Sequence, residues 1–157
     1  MYPYFQRNPK QNLQTREMTS VDPLRDFLTQ NPDFGTLLFQ VTGGQGAFPI
    51  GGATVVITKN LTDGHALSIT TTTDESGKTQ EFSLPAPSRN LSQTPGGRDV
   101  FATYDAVISA PGHVTVIVRD IPIFDGITTI QPVNLAPDLN GNMINETETI
   151  TDTEPNL

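Results

Sequence analysis

Residues 101–120, FATYDAVISAPGHVTVIVRD, constrain the fold more than any other stretch of the chain. Tyr104, Ala106 and Ile108 alternate with Asp105, Val107 and Ser109, and further on Val114, Val116 and Val118 alternate with Thr115, Ile117 and Arg119. A period of two built from β-branched residues marks a strand with one buried face. Between the runs Pro111 fixes φ and Gly112 is free to take positive φ, as a type II turn requires. The stretch predicts a β-hairpin, and the face of Val114, Val116 and Val118 needs a second layer to cover it.

The rest of the chain supplies candidate strands for that layer. Residues 35–42 (GTLLFQVT), 53–59 (ATVVITK), 66–73 (ALSITTTT), 79–84 (TQEFSL) and 128–135 (TTIQPVNL) repeat the alternation. Turn signals separate them: glycines at 43, 44 and 46, the pair Asp63 and Gly64, and DESG at 74–77. Pro132 has no amide to donate, so the closing strand is expected at a sheet edge or with a bulge. Residues 121–126 (IPIFDG) are expected to bend the chain, and 85–98 to form a long surface loop. With the hairpin this makes seven strands in about 100 residues, the count of a small all-β sandwich. Its expected core is Leu37, Phe39, Val41, Val55, Ile57, Tyr104, Ile108, Val114, Val116 and Val118, with Leu67, Ile69 and Thr71 also turned inward.

The sandwich is expected over 35–136, between an N-terminal tail at 1–34 and a C-terminal tail at 137–157. Asp22 and Pro23 open a short helix near 23–30, as N-cap and first helical residue. Leu24, Phe27 and Leu28 give it one apolar face, and two turns of helix need something to rest against. The first twenty residues are too polar to fold alone, yet Tyr2, Tyr4 and Phe5 place three aromatic rings near the tip. Residues 1–21 carry Arg7, Lys10 and Arg16 against Glu17 alone, a net +2, whereas residues 137–157 carry −5. The two ends are opposite in sign.

The charge of the whole chain is −8, which disfavours nucleic acid and anionic lipid as partners. No apolar run approaches the roughly 20 residues that cross a bilayer, so no membrane span is expected. There is no cysteine, which excludes disulfides, thiolate metal sites and cysteine nucleophiles together. The only histidines, His65 and His113, follow turn glycines and read as solvated turn residues. DESG lacks the alternating oxygen ligands of a dedicated calcium loop, and no nucleophile elbow or phosphate-binding glycine loop is present. The expectation is a chain that is not an enzyme, with no metal and no cofactor.

Several segments together carry a family resemblance: residues 35–41, GGATV at 51–55, TDESGKT at 73–79, SAPGH at 109–113 and IQPVNL at 130–135. They resemble the carboxypeptidase regulatory-like, or prealbumin-like, β-sandwich domain. TTDESGKT, SLPAPS, FATYD and ITTIQPVNL are most similar to the accessory domain of spore-associated peptidoglycan hydrolases of Firmicutes. The resemblance covers about 100 residues and leaves out both tails. It implies a non-catalytic, seven-stranded domain attached to surface, matrix or cell-wall proteins.

The leading expectation is therefore a structural subunit that assembles with copies of itself, through its tails, into a fibre or layer on a bacterial cell or spore surface. The candidate assembly residues are Tyr2, Tyr4, Phe5, Arg7, Lys10, Arg16, Leu24, Phe27 and Leu28. The alternative is a module that binds peptidoglycan or partners a wall enzyme. The opening residues have no apolar signal segment, so a surface location would be reached without a recognisable signal peptide, and a cytoplasmic location stays open.

Overall fold

The computed structural model describes residues 22–93, 95, 100–141 and 147–151, the last five by their backbone alone. A short helix α1 (Pro23–Gln30) precedes the strands β1 (Asp33–Gly43), β2 (Phe48–Pro49), β3 (Thr54–Asn60), β4 (Ala66–Thr72), β5 (Phe82–Ala86), β6 (Phe101–Ser109), β7 (Thr115–Phe124), β8 (Thr128–Leu135) and β9 (Thr147–Thr151). They form a four-stranded sheet, in which β1 pairs with β2, β5 and β8, and a five-stranded sheet in the order β4-β3-β6-β7-β9. The all-β sandwich expected from the alternation is the fold. The seven expected strands are all present, joined by the short β2 and by β9 from the C-terminal tail.

The core lies between the sheets. Leu37, Phe39 and Val41 of β1 meet Val55, Ile57, Tyr104, Ala106, Ile108, Val116 and Val118 of the larger sheet, all fully or nearly fully buried. Val114 is a correction: it is only half-buried, because it precedes β7 and its amide is drawn to the Ala136 carbonyl at 2.9 Å. Pro111 and Gly112 (φ 73°) form the expected tight turn, closed by the His113 amide on the Ala110 carbonyl at 3.2 Å.

Residues 121–126 do not simply bend the chain. β7 runs on to Phe124 past a bulge, where Asp105 on β6 faces both Arg119 and Asp120 on β7. Asp120 takes φ 57°, and the extra residue switches the inward parity from Val116 and Val118 to Ile121 and Ile123, which are completely buried. The Asp105 carboxylate holds the bulge by accepting the Asp120 amide at 2.9 Å and pairing with Arg119 at 3.8 Å. The strand expected at 79–84 is likewise shifted, to Phe82–Ala86, where Pro85 sits opposite Phe34.

β4 departs from expectation in burial. Leu67 and Thr71 are half-buried and Ile69 is exposed, because β4 is the outer strand of the wider sheet and among the described residues pairs only with β3, beyond the cover of the smaller sheet. Its turn follows the sequence signal: Asp63 (φ 58°) and Gly64 (φ 74°) take successive positive φ values, the backbone of a type I′ hairpin turn.

Candidate assembly surface

The Asp22 carboxylate caps α1 by accepting the Leu24 amide at 3.1 Å and the Arg25 amide at 3.4 Å, while Pro23 occupies the first turn. The Asn31 side chain, itself buried, donates to the Phe27 carbonyl at 2.8 Å and closes the other end. Of the three apolar residues on the helix only Phe27 enters the core. Its ring meets Tyr104 edge-on, 6.5 Å between centroids. Leu24 and Leu28 stay 41% and 42% exposed, and with Asp22, Arg25 and Thr29 they line a shallow surface groove. The expected single apolar face is thus split between an anchor and an outward pair.

Lys59 joins the anchor. Its ammonium donates to the Thr103 carbonyl at 2.7 Å and lies 5.8 Å from the Phe27 ring centre and 5.6 Å from that of Tyr104. Desolvation lowers its pKa below the usual lysine value, against the pull of Asp105 and Asp120. The Tyr104 hydroxyl donates to the Pro85 carbonyl at 2.6 Å, bridging the two sheets, and burial pushes its pKa well above the tyrosine range. Lys59 gave no sign of this role in the sequence, because the ring pair that receives it is assembled from α1 and β6.

The motif TDESGKT also becomes intelligible as structure. Thr73 is buried; its hydroxyl donates to the Ile50 carbonyl at 2.7 Å and accepts the Ala53 amide at 2.9 Å. The Asp74 carboxylate accepts the Ser76 hydroxyl at 2.6 Å and the amides of Ser76 and Lys78, bonds that hold its pKa below the usual range. Gly77 takes φ 76° with its α-carbon pressed towards the Val41 carbonyl. These residues fix the joint between β4 and the smaller sheet.

Strand edges and one sheet face are open on the sandwich. β4 pairs only with β3, and β5 and β8 only with β1, among the described residues, so each has an unpaired edge. The outer face of the smaller sheet is open as well. There the register sets Phe34 beside Pro85, Leu38 beside Ile130, and Gln40 beside Pro132. Phe34 is 53% and Ile130 58% exposed. The edge of β7, by contrast, is taken by the chain's own strand β9, which pairs with Thr115–Arg119 in parallel. The candidate residues Tyr2, Tyr4, Phe5, Arg7, Lys10 and Arg16 lie outside the described residues. Among the described residues there is no helix long and apolar enough to cross a membrane, and no cluster of three metal-ligating His, Asp or Glu side chains.

No protein-family model matches the chain, and no curated protein matches it in sequence. Solved structures share its outline at low identity. The Bacillus anthracis TIE protein is 16% identical with a TM-score of 0.47, over 67% of this chain and 17% of that protein. Catechol 1,2-dioxygenase from Acinetobacter sp. ADP1 is 16% identical with a TM-score of 0.45, over 77% of this chain and 59% of the enzyme. The corresponding enzyme from Pseudomonas arvilla C-1 is 17% identical with a TM-score of 0.46, over 80% and 56%. The chain thus spans less than two thirds of each of these proteins, and likenesses of this grade assign it no activity.

Proposed function

We propose that the chain is a non-catalytic structural subunit that assembles with copies of itself, through its terminal segments, into a fibre or layer on a bacterial cell or spore surface. The observation that carries this reading is β9. A terminal segment joined to β8 by eleven residues adds itself to the sheet edge at β7 by backbone pairing. Edge addition of this kind depends on main-chain hydrogen bonds and works equally well between molecules. The unpaired edges of β4 and β8 offer further places for it. The resemblance of segments 51–55, 73–79, 109–113 and 130–135 to prealbumin-like surface and wall domains supports the location. It also supports the second reading, a peptidoglycan-binding or accessory module.

Sedimentation and electron microscopy of the full chain test the proposal. A structural subunit sediments as large species with a repeating appearance, and deletion of residues 1–21 abolishes them while leaving the melting temperature nearly unchanged. A protein that stays monomeric at all concentrations but pellets with purified peptidoglycan would establish the second reading instead. Substrate turnover lost on replacing one Asp, Glu or His would make it an enzyme and overturn both.

A further inference from the structure

We propose that the outer face of the four-stranded sheet is the seat for the aromatic tip of the N-terminal segment, Tyr2, Tyr4 and Phe5, of a second copy. This rests on the assembly reading above and adds the receiving surface to it. Outward positions of a sheet that faces solvent are ordinarily polar. Here they are interrupted by two apolar pairs, Phe34 with Pro85 and Leu38 with Ile130, separated by the row Ser83, Thr36 and Thr128, with Pro132 next along β8. Residues directly opposite on one face stand about 5 Å apart, so each pair presents a continuous apolar surface. Nothing among the described residues covers Phe34 or Ile130, both more than half exposed. The outward neighbours on β1, β5 and β8 are Thr36, Gln40, Thr42, Ser83, Thr128 and Asn134, all uncharged, and the one charged side chain bridged to them is Lys78, opposite Gln40.

The order of residues in the N-terminal segment matches the order of surfaces around the seat. Its first six residues carry no side-chain charge and hold the three rings; Arg7, Lys10 and Arg16 follow. The seat is two apolar pairs set among uncharged polar residues, with Lys78 at its margin beside Gln40. On its β8 side, the turn after β7 brings the edge of one sheet next to the edge of the other, and β9, whose sequence holds Glu148, runs beside β7. Rings on the face would place the basic residues towards β9 and its Glu148. Copies with a net charge of −8 otherwise repel one another. Twenty-one extended residues reach about 70 Å, about twice the diameter of a domain of this size, a length sufficient to span to a second copy. Aromatic rings of this kind supply large contact area at low entropic cost.

The absence of native cysteine makes a cross-linking test direct. The Gln6→Cys protein is mixed with the Thr128→Cys protein, whose thiol lies on the proposed seat, or with the Thr70→Cys protein, whose thiol lies on the exposed β4 of the other sheet. The expected result is a mixed disulfide dimer at least about tenfold more abundant with Thr128→Cys than with Thr70→Cys, the gain that effective concentration at a real contact gives. Replacing the exposed Phe34 and Ile130 by serine should remove that preference without lowering the melting temperature. Equal yields at the two positions would overturn the proposal. So would a Gln6→Cys/Thr128→Cys double variant that closes as a monomer, because the occupant would then be the chain's own segment. Deletion of residues 1–21 separates the two levels: loss of large species without preferential Thr128 cross-linking leaves the assembly reading standing and removes this seat, whereas large species that survive the deletion remove both.

Discussion

At the scale of single residues, Tyr104 and Gly77 are two positions where side chain and backbone are tightly constrained. The Tyr104 phenol stays protonated in the fold beyond the point at which a tyrosine in the unfolded chain ionises, near pH 10. An acid whose folded pKa is raised loses stability as pH climbs through the unfolded value, since only the unfolded state gives up its proton there. Lys59 works the opposite way: its lowered pKa makes the unfolded state hold more protons just below 10.5, so its contribution rises with pH there. We expect urea midpoints to fall between about pH 10 and pH 11, and Tyr104→Phe to flatten that fall while costing about 1 kcal/mol at neutral pH through the lost bond to Pro85. A fall of unchanged steepness in Tyr104→Phe would place the titrating group elsewhere. Gly77 carries positive φ, and a Cβ there would stand 2.3 Å from the Val41 carbonyl oxygen. Gly77→Ala is therefore expected to cost about 2–4 kcal/mol, strain and overpacking together. Gly52, also at positive φ but with open space around it, should lose less on the same change, as paired melts will show.

At the scale of elements, α1 is anchored in the core by one side chain and the bulge in β7 is held by one carboxylate. Two turns of helix do not persist alone in water, and Phe27 is the residue of α1 that reaches the core. Phe27→Ala should cost about 3 kcal/mol and strip amide-exchange protection from residues 24–30 while β3 and β6 keep theirs. Protection retained in α1 would mean that Leu24 and Leu28 find cover elsewhere. The β7 bulge depends on Asp105, which bonds the amide of Asp120 where that residue takes positive φ. Asp105→Ala leaves that amide without its acceptor and should lower stability by about 1–2 kcal/mol, whereas Asp105→Asn retains an acceptor and should lose less. Equal losses would assign the effect to the Arg119 pair.

At the scale of the molecule, the central hairpin joins everything else. β6 and β7 hold the middle of the larger sheet, and Val116 faces the smaller sheet with almost no exposure. A carboxylate at that place would be buried without a partner, which costs several kcal/mol, on the order of the whole stability of a domain this size. Val116→Asp should therefore be unfolded at 25 °C by circular dichroism. The Val114→Asp change, at a half-buried position outside the strand, should be tolerated far better.

The sequence by itself determined the sandwich. Period-two alternation in seven segments, the Pro111 and Gly112 turn, the Asp63 and Gly64 turn and the Asp22 cap are all local signals, set by steric limits on φ and by which face of a strand can leave water. Tertiary structure alone decided which alternating faces are covered. Ile69 alternates as well as Ile57 does, but β4 lies beyond the opposite sheet. Ile121 and Ile123 are core because a bulge at Asp120 reverses the parity, and a register shift leaves no mark in composition. The candidate surface was legible only in its tail half, as rings followed by basic residues. Its other half, Phe34, Leu38 and Ile130, comes from strands about ninety residues apart, and only the parallel pairing of β1 with β8 brings them onto one face.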